Sequence, residues 1–168
     1  VYKRQLSLIA MGLACAMAGR YIAYRLSRRV RILEKISLMF GIAENEIKFL
    51  NRPTSELIEL LEKKDELAEL DFLPKSISYI NEGMDITDAW AQAIHESKSV
   101  DGEDTCVLYS FGESLGRSDA DGQIASCRYH VKLTDERLNE AREKRKRYAS
   151  LACGLGMLSG IGVFIILF

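Results

Sequence analysis

Apolar residues gather at the two ends of the chain, and helical spacing dominates the sequence between them. The last twenty positions, 149–168 (ASLACGLGMLSGIGVFIILF), contain no charged side chain. At about 1.5 Å per residue they reach roughly 30 Å, the thickness of a bilayer core. We therefore predict a transmembrane helix over 149–168. A buried core helix is disfavoured, because a domain of this size could hardly surround it on all sides.

The N-terminal apolar segment is shorter. Residues 6–19 are apolar for only fourteen positions, which alone would suit a signal peptide or an interfacial helix. If Arg20 snorkels, the segment extends through Tyr24 to nineteen residues, with two tyrosines at headgroup depth. This favours a transmembrane helix over 6–24. Because the chain opens with Val1 rather than Met, we expect residues 1–5 to be non-native or incomplete.

The charge changes sign where the apolar segments end. Five arginines and no acid lie in 20–31, and five cations with one acid lie in 142–147; we call these two stretches the basic collars. Residues 32–141 carry 11 Lys or Arg against 23 Asp or Glu, a formal charge of −12. Cations beside an apolar segment stay on the cytoplasmic side. Both collars therefore predict a cytoplasmic domain over 25–148 with both termini outside, and membrane-surface contacts through Arg25, Arg28, Arg29, Lys144, Arg145, Lys146 and Arg147.

The central region reads as a bundle of helices, since no segment alternates like an exposed strand. After Pro53, with Ser55 as the expected N-cap, apolar residues recur at helical spacing from Leu57 to Leu70. A short helix is predicted near 74–81 and ends at Gly83, and Asp85 is expected to cap the next helix, which contains Trp90. Residues 98–104 form a polar loop. The predicted fold class is an all-α cytoplasmic bundle of about five to six helices between two transmembrane helices.

The last helix has the clearest pattern. From Ser118 or Asp119 onward, a heptad-like seam runs through Ile124, Cys127, Val131, Thr134, Leu138, Ala141, Arg145 and Tyr148. No proline or glycine interrupts residues 123–153. We therefore expect this helix to continue into the C-terminal span, and similar spacing from Leu26 to Ile36 predicts the same continuity at the N-terminal span.

The sequence offers little catalytic chemistry. It contains no G-x-x-x-x-G-K-[ST] phosphate loop. Its four cysteines lack metal-type C-x-x-C spacing, and Cys106 and Cys127 occupy apolar helix positions that predict core packing. His95 and His130 have no partner at a metal-ligand spacing. We expect neither an enzyme nor a cofactor or metal, and no nucleic-acid partner.

The segment 111–123 (FGESLGRSDADGQ) stands out. Phe111 and Leu115 lie four residues apart, so they share one helix face, which we expect to be buried in a corner between two helices. Gly112 lies inside a helix, where glycine costs about 1 kcal/mol relative to alanine. We therefore predict that Gly112 allows another helix to approach closely.

The same segment also predicts where the corner turns. Gly116 would end one helix in the left-handed conformation, and Ser118 or Asp119 would cap the next. Taken from the residues alone, this is a structural feature rather than a binding site.

This segment resembles the stage III sporulation protein AB family of endospore-forming bacteria. The preceding helix (ITDAWAQAI) and the tail, in which Tyr148 precedes a glycine-rich apolar stretch, match as well. The resemblance therefore covers essentially the whole chain apart from its first five residues. The pattern FG-x-x-LG-x-x-D-x-x-x-Q is matched by Phe111, Gly112, Leu115, Gly116, Asp119 and Gln123.

The resemblance implies a component of the channel complex that joins mother cell and forespore, located in the mother-cell or outer forespore membrane. The family's cytoplasmic domain is similar to the helical domain of inner-membrane platform proteins in type II secretion and type IV pilus systems, which sit against a hexameric ATPase. The implied partners are the sporulation ATPase, stage III sporulation protein AA, other membrane proteins of the channel, and the lipid membrane.

The acidic centre suits a docking role. Its negative field could steer a cationic partner, and the candidate partner-facing acids are Glu59, Glu62 and Glu66; ordinary solubility is the competing explanation. Two other functions stay open: a platform protein of a secretion or pilus system, and a secreted or lipid-anchored helical binding domain using weak processing sites around Cys15. A membrane-bound hydrolase is disfavoured, because nothing specifies a pocket for paired carboxylates.

Overall fold

The regular structure of the described residues is entirely helical. The computed structural model describes the backbone of residues 2–50, 52–115 and 119–167, and the side chains of residues 17–50, 52–115 and 119–151. These ranges hold six α-helices and one 3-10 turn, Asp65–Leu67. The α-helices are α1 Tyr2–Leu50, α2 Thr54–Glu62, α3 Phe72–Asn81, α4 Ile86–His95, α5 Thr105–Ser114 and α6 Ala120–Leu167. The predicted all-α class and helix number are confirmed.

The chain divides into two compact units. Arg31–Asn139 forms one, which we call the helical domain, and Val1–Val30 with Glu140–Phe168 forms the other, which we call the flanking unit. Among the residues that the structure describes, no helix combines the length and the apolar character that crossing a membrane requires. Most of the predicted spans 6–24 and 149–168 lies outside the residues whose side chains are described.

The core of the helical domain is built around rings from five helices. The ring centroids of Phe72 on α3 and Trp90 on α4 lie 5.3 Å apart, and Trp90 lies 5.9 Å from Phe111 on α5. Phe111 in turn lies 4.5 Å from Phe40 on α1 and 5.4 Å from His130 on α6. All five side chains are buried. The aromatic chain therefore ties the helices into one core.

Helix α1 supplies more of this core than its sequence predicts. The helical spacing noted from Leu26 to Ile36 continues to Leu50, and the added turns bury Met39, Phe40, Ala43 and Ile47. Gly41 lies in the middle of this stretch, and a Cβ there would meet nothing within 4 Å. Tertiary burial on both sides of Gly41 overrides its low helix propensity.

The predicted turn between α3 and α4 is confirmed. Gly83 has a φ of 93°, the left-handed conformation that glycine adopts without strain. Its N–H donates to the carbonyl of Ile80, and the N–H of Met84 donates to that of Tyr79, each over 3.0 Å. This is the Schellman pattern. Asp85 then caps α4, since its Oδ2 accepts from the N–H of Thr87 at 3.0 Å.

The predictions for α2 need two corrections. The N-cap is Pro53, with φ −59° and ψ 150°, and Ser55 lies within the first turn. The proline ring already fixes the backbone that the position before a helix requires, so the helix begins at Thr54, two residues earlier than a cap at Ser55 would place it. The apolar run also breaks at Lys64, whose backbone is extended. Leu67 and Leu70 are still buried, but Leu67 lies in the 3-10 turn and Leu70 in the segment after it, rather than in an extended α2.

The loop between α4 and α5 is polar, as predicted, but it is firmly anchored. The carboxylate of Asp71 accepts from the hydroxyls of Ser97 and Ser99 at 2.6 Å each and from the N–H of Lys98 at 2.9 Å. Lys75 donates to it at 3.2 Å. Burial raises the pKa of Asp71, but these hydrogen bonds together outweigh it, so the pKa of this carboxyl lies well below its usual range.

Helix α6 forms a single helix to Leu167, which confirms the predicted continuity. Its predicted seam changes character along the way. Cys127, Thr134, Leu138 and Ala141 are buried, whereas Arg145 and Tyr148 are exposed.

Candidate functional site: a glycine corner and an acidic surface

The family pattern begins at a buried helix face. Phe111 and Leu115 on and just after α5 are both buried, as their shared face predicts. Phe111 lies at the centre of the aromatic chain. The backbone of Leu115 turns extended at the end of α5, with ψ 123°, which ends the helix.

Gly112 makes close contact with Trp90. A Cβ at this position would lie 2.9 Å from the indole Nε1 and closer still to Cδ1. The same Nε1 donates a 2.8 Å hydrogen bond to the carbonyl of Leu108, one turn earlier on α5. The predicted close approach is therefore confirmed: the indole of α4 rests on the bare backbone of α5 and bonds to it.

The second half of the pattern starts α6. Asp119 accepts from the N–H of Gly122 at 3.0 Å through Oδ1, and its carbonyl accepts from the N–H of Gln123, also at 3.0 Å. Asp119 is thus the N-cap of α6. Gly116 and Ser118 lie outside the described residues. Of the six pattern residues, the three before Gly116 are buried. Of the two after it, Asp119 caps α6 and Gln123 lies in its first turn.

A polar network that sequence reasoning missed joins α5 to α6 beside this corner. The ring of His130 contacts the hydroxyl of Ser110 through Nε2 at 2.9 Å, and its Nδ1 donates to the carbonyl of Ser126 at 2.7 Å. Ser114 and Ser126 share a 2.7 Å hydrogen bond. Burial lowers the pKa of His130 more than its bond to Ser126 raises it. The imidazole is therefore a neutral, structural member of the core at pH 7.

The three candidate acids lie on the surface around α2. Glu59 and Glu62 are exposed on α2 opposite the buried Leu57, Ile58 and Leu61, and Glu66 is exposed in the 3-10 turn. The backbone carbonyl of Glu66 accepts from Lys35 at 2.5 Å, which holds the turn against α1. By contrast, Glu69 pairs with Arg31 at 2.9 Å and with Lys35 at 3.6 Å.

This surface is not uniformly acidic. A shallow groove of about 530 Å³ beside α2 is lined by both signs of charge, from Arg52, Glu56, Glu59, Leu60, Lys63 and Lys64. Arg52 pairs with Glu46 at 3.0 Å and lies 3.7 Å from Glu56. Any partner of this surface must therefore match a mixed pattern rather than a plain negative field.

The predicted membrane-surface cations belong to the flanking unit. Arg25 and the four cations Lys144 to Arg147 are exposed, and Arg28 and Arg29 are half-buried. Arg147 lies 3.9 Å from Glu143, with both side chains largely exposed. Pairs of this kind contribute little to stability.

The two cysteines of the helical domain differ. Cys127 is buried, as predicted, and burial together with the charge of Glu44 raises its pKa to about 12. Cys106 is exposed, which contradicts the predicted core position. It lies in the first turn of α5, where Nη2 of Arg137 donates to its Sγ at 3.2 Å.

Comparison with known proteins identifies one family. The family model described as stage III sporulation protein AB matches residues 6–168. No curated protein and no solved structure matches the chain. Within the described ranges, no group of three or more His, Cys, Asp or Glu residues is placed to hold a metal ion.

Proposed function

Because the chain belongs to the stage III sporulation protein AB family, we propose that it is a non-catalytic membrane component of the channel complex required for endospore formation. In this role it docks a cytoplasmic secretion-type ATPase, stage III sporulation protein AA, onto the channel. The observation that carries the proposal is the family match over residues 6–168. The family is one of sporulation proteins; the channel and the ATPase are our extension of it.

The exposed carboxylates around α2 support the docking part of the proposal. The carboxylates of Glu59, Glu62 and Glu66 have no ion-pair partner in the part of the chain that the structure describes. A partner can pair with them without first breaking an internal bond. Exposed charges at the edge of an interface act mainly on the association rate and on its dependence on salt. We therefore expect docking to weaken as ionic strength rises.

The test is binding of the full chain, in detergent or nanodiscs, to the sporulation ATPase from the same genome at low and high salt. The variant E59K/E62K/E66K is compared with E113K/E136K/E140K, which reverses three other exposed acids. Loss of binding in the first variant alone supports docking through the α2 surface. Equal binding by both variants contradicts it.

The membrane placement is the second part of the proposal. We place spans at 6–24 and 149–168, on the length and charge-free character of the C-terminal segment and on the basic collars. The exposed Cys106 offers a test. In intact cells a membrane-impermeant thiol reagent should label Cys106 only after lysis, with Cys106→Ser as the control. Labelling before lysis would favour a secreted or lipid-anchored domain.

A further inference from the structure

The flanking unit contains a groove between α1 and α6. It has a volume of about 290 Å³ and is lined by Ala23, Leu26 and Ser27 of α1 and by Arg145, Lys146, Tyr148 and Ala149 of α6. Two cations and two hydroxyl groups line it, and none of the described lining residues is an acid. The groove therefore presents cationic donors and neutral hydroxyl groups next to apolar side chains.

The groove lies where the α6 seam changes from apolar to charged. Leu138 and Ala141 are 6% and 1% exposed, and the next seam position is Arg145, an exposed cation. An apolar residue at this position would continue the seam and close the space between the helices. A cation, which must stay hydrated or paired, holds the space open.

The order of the lining residues matches the parts of a phospholipid. The polar end of the lining is formed by Ser27, Arg145 and Lys146. Along the sequence these residues are closer to the helical domain than the two alanines are. Ala23 and Ala149 lie one turn further along each chain, toward the predicted spans. Arginine and lysine bind phosphate oxygens well, and basic pockets between helices at a membrane surface suit anionic headgroups.

We propose that this groove binds the headgroup of one anionic phospholipid, with the phosphate held by Arg145 and Lys146 and the acyl chains beside Ala23 and Ala149. The inference rests on the membrane placement in the proposed function and goes beyond it, because general attraction to an anionic leaflet requires no groove. It distinguishes these two cations from the other collar residues.

The experiment measures lipid bound to the full chain by native mass spectrometry, from neutral detergent with equal amounts of phosphatidylglycerol and phosphatidylcholine. We expect one phosphatidylglycerol retained per chain. The variant R145Q/K146Q should bind it roughly 30-fold more weakly. The control K144Q/R147Q removes one Lys and one Arg from the same turns outside the groove, and should change binding less than about threefold.

Two further arms separate a lipid site from simple charge attraction. Ser27→Trp fills the groove without changing charge, so it should abolish retention. Millimolar glycerol 3-phosphate should not displace the lipid, because it lacks acyl chains. Equal losses in the two double variants, full retention in Ser27→Trp, or displacement by glycerol 3-phosphate would each overturn the proposal.

The outcome is separable from that of the proposed function. ATPase binding does not enter the lipid measurement, so a chain that retains phosphatidylglycerol but fails to bind the ATPase contradicts docking alone. Extraction of the wild-type chain from membranes by alkaline carbonate would contradict the membrane placement itself, whichever groove variant is used.

Discussion

Two regions of the helical domain differ in how their side chains are used. They are the glycine corner, formed by Phe111, Gly112 and Leu115, and the acidic surface, formed by Glu59, Glu62 and Glu66. Phe111, Gly112 and Leu115 are buried against other helices, and Gly112 has no room for a Cβ. Glu59 and Glu62 lie exposed on α2, held by no ion pair in the described parts of the chain. Packing within the chain therefore restricts which residues can stand in the first group. It places no such restriction on the second group, whose side chains can instead suit a binding partner.

The comparison indicates where a family pattern carries information about function. A specific pattern such as FG-x-x-LG identifies the family, yet its described residues pack the core and cap a helix. A docking surface leaves a weaker pattern, since exposed acids tolerate substitution. Stability measurements should consequently separate the two regions more clearly than sequence patterns do.

The largest expected effect is at Trp90. Trp90→Ala removes a buried indole that packs on Phe72, Phe111 and the backbone of Gly112, and it leaves the Leu108 carbonyl without its side-chain donor. We expect a loss of about 3–5 kcal/mol in the free energy of unfolding. Thermal unfolding of the full chain in detergent, followed by circular dichroism, measures it. The exposed Phe49→Ala is the control and should change stability by about 0.5 kcal/mol or less.

The next effect is at Gly112. Gly112→Ala should destabilise by about 1–3 kcal/mol, because the new methyl overlaps the Trp90 indole. Gly41→Ala is the matched control: it is also a mid-helix glycine but has open space around it, so it should be neutral or stabilising by about 0.5–1 kcal/mol.

A double-mutant cycle then assigns the Gly112 effect to its contact. With Trp90→Ala in the background, the clash is gone, and Gly112→Ala should become neutral or stabilising. If Gly112→Ala costs the same in both backgrounds, the indole is not the reason for the glycine.

This glycine shows what sequence reasoning could reach. A glycine inside a helical pattern costs stability, so its presence predicted a close approach before the contacting residue was known. Local rules likewise predicted the Gly83 turn and the Asp85 cap, and they limited the cap of α6 to Ser118 or Asp119, because each depends on neighbours within a few residues. The partner of Gly112 could not be predicted, since Trp90 lies 22 positions away and no local rule relates them.

The misses have the same origin. The core role of Phe40, the exposed position of Cys106 and the network around His130 all depend on which helix packs against which. The break after α2 was missed because leucines at helical spacing fit a 3-10 turn as well as an α-helix. The predicted spans and the acidic docking surface stay predictions, since no contact within this chain tests them.

Asp71 provides a test of intermediate size. Asp71→Asn replaces the carboxylate that accepts hydrogen bonds from Ser97, Lys98 and Ser99 with a neutral amide. Because the side chain is partly exposed, we expect the free energy of unfolding at pH 7 to fall by about 1–2 kcal/mol. The folded pKa is depressed, so the wild-type advantage is fully present above about pH 4 and is lost as pH falls below it.

Unfolding midpoints of wild type and Asp71→Asn at pH 7, 5 and 3 measure this dependence. The gap should be constant between pH 7 and 5 and narrower at pH 3. The exposed Asp65→Asn makes the same charge change without these bonds and should stay within about 0.5 kcal/mol at pH 7. A gap that widens toward pH 3 would show that the Asp71 carboxylate does not stabilise the loop.

The smallest expected effect on stability belongs to the acidic surface. E59K/E62K/E66K should change the free energy of unfolding by no more than about 0.5 kcal/mol per site, because all three side chains are exposed and held by no ion pair in the described ranges. Thermal unfolding of this variant beside Gly112→Ala measures the contrast directly. A variant that folds like wild type yet loses the ATPase places the function on this surface. One that unfolds would make these acids part of the structure, as the corner residues are, and would remove the distinction between the two regions.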